Sequence, residues 1–266
     1  MNSLFVTLGV WDTTRVWELL RPYWETGLAK NTAGVGLVCA WGLIALLVAV
    51  WVKRRFDPPR WAVLAGLRIV HAGWVIIAFR WIAYGNTAWF ASWVVVIFFL
   101  LLNVAARKMK FARSLLDEHE PEPPLGNMWA VFALVWLWWK PGLQFVAMSG
   151  VFAVAWGESA AIVGGRLFGK HRFRFRGARG LTFEAAAIMA AVTFLALLVT
   201  VHECARIPTW HVPRFWLWAW AFFGAALTTG VATVAYLYTP RPWQRWTIPL
   251  GTAVTMYYYA VTGFHM

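Results

Sequence analysis

The sequence has little charge and almost no cysteine. Only 13% of its 266 residues are charged, whereas 61% are hydrophobic and the mean hydropathy is +0.59. Apolar residues in this proportion exceed what one soluble core can bury, so the composition predicts an integral membrane protein. The two cysteines, Cys39 and Cys204, are far apart and lack metal-type spacing, so we expect neither a disulfide nor a zinc site.

Acidic residues are also scarce, with 11 Asp and Glu against 24 Lys and Arg. In a membrane protein this excess mostly sets orientation and attracts anionic membrane lipids. We expect no nucleic-acid binding, because no soluble basic module is present. The six histidines show no ligand-type spacing, although a phosphate-bound Mg²⁺ needs only one or two carboxylates. The 21 tryptophans are expected in interfacial belts and on lipid-facing surfaces.

The apolar runs predict an all-α, polytopic membrane bundle with about eight transmembrane helices. Six runs are long enough to cross about 30 Å of hydrocarbon, and they cover residues 32–52, 61–84, 88–106, 183–202, 215–238 and 247–264. Two more, 127–139 and 143–168, are separated by the helix-breaking Lys140-Pro141-Gly142. Residues 1–30 mix apolar and charged residues and predict an interfacial amphipathic segment, which leaves 31–266 as one membrane domain.

Basic residues alternate strongly between the two sides of this predicted topology. One set of loops carries 16 Lys and Arg residues and the opposite set carries 6. The positive-inside rule therefore predicts that the loop following residue 168 is cytoplasmic and that both termini are outside. We expect an inner, cytoplasmic membrane location.

Glu158 is a carboxylate near the cytoplasmic end of an apolar run, followed by a cluster of bases. A carboxylate near hydrocarbon is costly unless it faces a partner, a cavity or a metal, so it marks a candidate site. Ala161 and Gly165 keep the helix face between Glu158 and Arg166 small, and we expect a triphosphate to lie there. The bases expected to neutralise phosphate charge are Arg166, Lys170, Arg172, Arg174, Arg176 and Arg179. The alternative is a basic loop that only touches lipid.

Arg68 and His71 are three residues apart, and so lie on one face of the second apolar run. With Glu158 and Glu184 they predict a charged patch in the cytoplasmic leaflet. Glu158 and Glu184 would hold Mg²⁺, and His71 or Glu184 would accept the proton of a lipid alcohol. The alternative is that Arg68 snorkels to the headgroups and His71 is a hydrogen-bonded interior residue.

These motifs resemble those of the dolichol kinase and phytol kinase family. The pattern G-[DE]-x-x-A-x-x-x-G-R-x-F-G is matched by Gly157, Glu158, Ala161, Gly165, Arg166, Phe168 and Gly169. Residues 67–71 are similar to the family's R-K-x-x-H segment, and residues 181–185, which include Thr182, are similar to K-S-x-E-G. More distantly, the chain is similar to the phosphatidate cytidylyltransferases.

The resemblance implies a lipid-alcohol kinase that uses Mg²⁺ and CTP, or another nucleoside triphosphate, on an isoprenoid alcohol. It assigns Gly157, Gly165, Gly169 and Thr182 to nucleotide binding. The family's Asp-Asp-Asn segment is replaced here by Trp243-Gln244-Arg245. This replacement favours a non-catalytic protein that binds nucleotide or anionic lipid. A cytidylyltransferase that forms a CDP-lipid also stays open, as does a transporter of a phosphorylated lipid, which the helix break at Pro141-Gly142 favours.

Overall fold

The protein is helical throughout the part that the computed structural model describes. Those residues are 27–73, 76–77, 93–95, 97–98, 101, 144–173, 181–205 and 216–264. The helices are α1 (Leu28–Phe56), α2 (Arg60–His71), α3 (Gln144–Phe152), α4 (Ser159–Phe168), α5 (Phe183–Ala205), α6 (Leu217–Tyr238) and α7 (Arg241–Phe264). A π-helical turn, Ala153–Glu158, joins α3 to α4. Within the described residues there is no strand, only one isolated β-bridge.

Four stretches of helix are long and apolar enough to cross a membrane. They are Leu28–Phe56, Phe145–Phe168, Phe183–His202 and Leu217–Tyr238. They match four of the predicted runs and confirm a helical membrane protein. The predicted run 247–264 lies within α7, which is not among the four.

The other predicted elements are described in part or not at all. The runs 61–84 and 88–106 are only partly described. The run 127–139 and nearly all of the N-terminal segment 1–30 lie outside the described residues. The structure therefore supports a polytopic helical protein without confirming eight spans.

Helices α5, α6 and α7 pack antiparallel, as contacts near both ends of each pair indicate. The rings of His202 and Trp218 stack with centroids 3.7 Å apart, whereas Ala185 and Tyr236 share a core cluster at the other end of the α5–α6 pair. Between α6 and α7, the Tyr259 hydroxyl donates to the Trp220 carbonyl, 2.8 Å away. These contacts set the relative heights of side chains along the bundle.

Cationic residues gather at one end of the bundle, here called the basic end. Helix α1 finishes with Lys53, Arg54 and Arg55, and α2 begins just beyond. The Arg166 guanidinium lies 5.0 Å from the ring centroid of Trp61, which brings the end of α4 to the start of α2. The exposed residues Lys170 and Arg172 follow directly. Antiparallel packing thus brings bases from separate loops together.

The orientation of the basic end is open to direct measurement. The positive-inside rule predicts that this end is cytoplasmic, so Lys170→Cys should resist an impermeant thiol reagent in intact cells and react after permeabilisation. Leu28→Cys, at the opposite end, is the matched control and should react without permeabilisation. Cys39 and Cys204 are replaced first. The reverse labelling pattern would show that the orientation is inverted.

Candidate functional site

Glu158 lies at the end of a π-helical turn, which the sequence pattern does not predict. Single π-turns within α-helices are often found at functional sites. Trp156 in this turn points to α2, where its indole N–H donates to the Ile69 carbonyl at 3.0 Å. Gly157 faces α5, and a Cβ added there would lie 2.1 Å from Thr193 Oγ1. The turn therefore contacts two neighbouring helices through consecutive residues.

Arg68 and Glu158 lie at about the same level of the bundle. Helix α2 runs antiparallel to the π-turn and α4. Trp156 contacts Ile69 near one end of this pair, and Arg166 contacts Trp61 near the other. Counting inward from these contacts places Arg68 opposite Glu158. Both side chains are partly buried, and neither makes a hydrogen bond or ion pair with a described residue. The structure thus places two of the four charged groups predicted to form a patch at a similar level.

His71 is the last residue of α2, about one turn beyond Arg68 and farther from the basic end. The two residues share a helix face, as their spacing predicts. The contacts of the His71 side chain lie outside the described part of the structure. Its assignment as a catalytic residue stays a prediction.

Two tryptophans satisfy carbonyls at the C-terminal end of α2. The carbonyls of the last turn of a helix lack partners within that helix. The Val70 carbonyl accepts from the Trp41 indole N–H at 2.8 Å, and the Ile69 carbonyl accepts from that of Trp156. These two tryptophans therefore join α1 and the π-turn to α2. The expectation that tryptophans lie in interfacial belts did not include this role.

Replacing Trp156 by phenylalanine tests this contact. The Ile69 carbonyl would lose its indole partner, and hydrocarbon offers no water to replace it. We expect the free energy of unfolding to fall by about 1–3 kcal/mol, measured by thermal or denaturant unfolding in detergent. Trp51→Phe is the matched control, because the exposed Trp51 has no hydrogen-bonded N–H among the described residues. Equal effects of the two substitutions would contradict a role for the hydrogen bond.

The glycines of the motif allow α4 to lie against α5. A Cβ would lie 2.2 Å from Ile188 Cδ1 at Gly164, 2.8 Å from Ala185 Cβ at Gly165, and 2.8 Å from Thr182 Cγ2 at Gly169. Ala161, between them, is fully buried. The face on which we expected a triphosphate is therefore covered by α5, and that placement is wrong. Nucleotide binding by the backbone of these glycines stays a prediction.

The loop between α4 and α5 is closed by a short antiparallel pairing. The Phe173 N–H donates to the Leu181 carbonyl at 3.1 Å, and the Phe183 N–H donates to the His171 carbonyl at 2.9 Å. Thr182 is buried and its hydroxyl accepts from the Ala185 N–H at 3.2 Å, which caps α5. The predicted phosphate-binding residues Arg174, Arg176 and Arg179 lie outside the described residues.

Glu184 is bound to His171, a residue that no sequence motif singles out. The ring Nδ1 of His171 lies 2.7 Å from Glu184 Oε1, and the His171 backbone N–H donates to both carboxylate oxygens at 3.3 Å. The histidine ring is largely exposed, whereas Glu184 is partly buried in the first turn of α5. No local spacing indicates this pair, because the loop closure brings the two residues together.

Glu158 and Glu184 do not meet. Gly157 packs against Thr193, nine residues beyond Glu184 along α5, which corresponds to about 13 Å of helix. The structure therefore places the two carboxylates at different levels of the bundle and does not bring them together. The joint metal site stays a prediction, and Glu158 lies deeper than the end of its span. No group of three or more His, Cys, Asp or Glu that could hold a metal occurs among the described residues.

Gln244 has a structural role in the segment that the sequence motifs align with an acidic segment of the kinase family. Its side chain is buried, and its amide Nε2 donates to the Tyr236 carbonyl at 2.6 Å. This bond joins the start of α7 to the end of α6. An amide here stabilises the helix pair and supplies no negative charge.

The predicted site residues thus occupy two levels of the bundle. Arg68 and Glu158 lie partway along the helices, whereas Arg166, Lys170 and the Glu184–His171 pair lie at the basic end. The first level carries one charge of each sign, and the second is mainly cationic.

In comparisons with known proteins, the chain matches no protein-family model, no curated protein and no solved structure.

Proposed function

We propose that the chain is a membrane enzyme with about eight spans that transfers phosphate from CTP to a lipid alcohol at the cytoplasmic face. The observation that carries this proposal is that Arg68 and Glu158 lie at a similar level of the bundle, both partly buried and without an ion-pair partner among the described residues. Charged groups at this depth are rarely retained without a function. Phosphoryl transfer requires positioning and charge neutralisation more than covalent chemistry, which suits such a site.

The two levels suggest a division of roles. Arg166 and Lys170 at the basic end neutralise the triphosphate as it enters, and Arg68 binds it farther in. Glu158 is suited to coordinate Mg²⁺, because its carboxylate has no hydrogen-bond or ion-pair partner among the described residues. Mg²⁺ is commonly held by one or two carboxylates together with waters and phosphate oxygens. The metal would neutralise phosphate charge at that position.

The acceptor proton is assigned to His71 in this proposal. His71 lies one turn from Arg68, whereas Glu184 is about 13 Å of helix away from the level of Glu158 and is bound to His171. A general base must be within hydrogen-bond reach of the proton that it accepts. We therefore propose that Glu184 positions the loop at the basic end.

The test is a transfer assay with two labels. Purified protein is incubated with Mg²⁺, a panel of polyprenols, phytol and phosphatidate, and CTP, ATP or UTP labelled at the α- or γ-phosphate. Transfer of γ-label to an alcohol is the expected result. Transfer of α-label to phosphatidate would instead establish a CDP-lipid cytidylyltransferase.

Gln244 favours a second candidate, a non-catalytic protein that binds nucleotide or anionic lipid. The resembling family has three polar residues, two of them acidic, where this chain has Trp243-Gln244-Arg245, and Gln244 is used to bind Tyr236. Loss of two carboxylates removes potential metal ligands. Nucleotide binding without any transfer, over the full panel of lipids, would support this candidate and exclude the kinase.

Substituting Arg68 and His71 separates binding from chemistry. Arg68→Leu should weaken nucleotide binding, whereas His71→Leu should slow transfer about 10²- to 10⁴-fold at saturating nucleotide, as removal of a general base does. Arg55→Leu, an exposed arginine at the basic end, controls for loss of one positive charge. If both variants turn over like the parent, Arg68 and His71 have only structural roles.

A further inference from the structure

Four buried hydroxyl groups in the bundle have no hydrogen-bond partner within the described structure. They belong to Ser159, Thr193, Thr228 and Thr229, whose exposed fractions are 0%, 0%, 0% and 7%. Threonine in a helix usually donates to the carbonyl four residues earlier. The chain follows this rule at Thr32, Thr200, Thr233, Thr247, Thr252, Thr255 and Thr262. The four exceptions therefore form a distinct group.

The exceptions lie at one level of the bundle. On α5, Thr193 falls between Met189 and Leu197, which belong to different apolar core clusters. On α6, Thr228 falls between Ala225 and Ala232, which belong to the same two clusters in the reverse order along the chain. Because α5 and α6 are antiparallel, the two threonines separate one apolar cluster from the other.

The other neighbouring helices continue this layer. Gly157 contacts Thr193 Oγ1, which places Ser159, two residues later, near the same height. On α7, Thr252 falls between Ile248 and Met256, again one from each cluster. Thr252 already donates to the Ile248 carbonyl, so its remaining capacity is to accept.

The layer lies near the middle of the membrane. Thr193 is ten residues beyond the start of α5, about 15 Å along the helix, and the hydrocarbon core is about 30 Å thick. Unpaired polar groups at this depth are strongly unfavourable. A hydroxyl both donates and accepts, and water can pair with both functions. A bound cation would pair only with the oxygen lone pairs and leave the hydroxyl protons without acceptors.

We propose that Ser159, Thr193, Thr228 and Thr229, the hydroxyl layer, bind ordered water within the membrane, and that this water reaches Glu158. Buried water typically makes about three hydrogen bonds to polar groups that lack other partners. Glu158 adjoins Ser159 in sequence and is only partly buried, so the same water hydrates its carboxylate. This inference does not depend on the proposed function, because it requires neither nucleotide nor lipid substrate.

Single cysteines at two positions of α5 test the proposal. Thr193 and Thr200 are both buried and lie seven residues apart on one helix face, but the Thr200 hydroxyl is bonded to the Ala196 carbonyl at 2.7 Å. A thiol ionises, and so reacts with methyl methanethiosulfonate, only where water is present. With Cys39 and Cys204 replaced, Thr193→Cys should react at least about tenfold faster than Thr200→Cys. Equal rates would overturn the proposal.

Radiolytic footprinting of the unaltered chain provides a second test that does not depend on a substituted protein folding. X-rays generate hydroxyl radicals from bound water and oxidise nearby methionines. Met189, one turn from Thr193 and 0% exposed, should be oxidised faster than Met148, which is 6% exposed and far from the layer. The opposite order would overturn the proposal. A melting temperature that rises with Na⁺ but not with choline, and that no longer rises in Thr193→Val, would also overturn the proposal. The ligand of the hydroxyl layer would then be a cation.

Discussion

Glu158→Gln is expected to abolish Mg²⁺-dependent nucleotide binding while leaving the bundle folded. The substitution removes the negative charge and keeps the shape of the side chain. Since Glu158 has no hydrogen-bond or ion-pair partner among the described residues, folding loses no such contact there. Affinity should fall by more than the roughly 10- to 100-fold seen when a residue that only orients a metal ligand is removed. Equilibrium binding of labelled CTP, with and without Mg²⁺, measures the effect.

Glu184→Gln is the matched control for this result. It also removes one carboxylate, but at the basic end, where the carboxylate binds His171. It should change nucleotide affinity much less than Glu158→Gln and leave the dependence on Mg²⁺ intact. Unchanged binding in Glu158→Gln, or equal losses in both variants, would contradict Mg²⁺ binding by Glu158.

Gly157→Ala is expected to cause a large loss of stability through a single added methyl group. The new Cβ would lie 2.1 Å from Thr193 Oγ1, in a contact that holds the π-turn against α5. Overpacking of a tight interface typically costs about 1–3 kcal/mol. We expect a loss of this size in the free energy of unfolding, measured in detergent, together with reduced nucleotide binding because Glu158 is the next residue.

Two further variants separate the steric effect from helix propensity. Gly230→Ala also adds a methyl group within a transmembrane helix, but nothing lies within 4 Å of the new Cβ. It should be neutral or stabilising by up to about 1 kcal/mol. Adding Thr193→Ala to Gly157→Ala removes the obstructing oxygen and should restore part of the lost stability. No recovery in the double variant would place the cause elsewhere.

Features that depend on local composition could be predicted from the sequence. A long apolar run spans a membrane as a helix because its own backbone satisfies all hydrogen bonds, which requires no knowledge of neighbours. The runs around Leu28–Phe56 and Phe183–His202 are confirmed for this reason. Arg68 and Glu158 were also recognisable, because an ionisable residue within an apolar run is unusual wherever it packs.

The roles of small and polar residues could not be predicted in the same way. Gly165 and Ala161 suggested an open face for a ligand, yet they form the close contact with α5. A small side chain allows close approach by any partner, whether helix or phosphate, and the sequence does not identify which one. The difference in level between Glu158 and Glu184 was not predictable for a related reason, since depth along α5 depends on how it is aligned with α4.

The sequence by itself thus determined that this is a helical membrane protein with few buried charges and bases concentrated in particular loops. These properties follow from hydrophobicity and charge, which each segment carries alone. The tertiary structure alone decided that Arg68 and Glu158 lie at a similar level, that His171 binds Glu184, and that buried hydroxyls from several helices share one layer. The physical reason is that each depends on the relative height and rotation of packed helices, and these are set by contacts between residues distant in sequence.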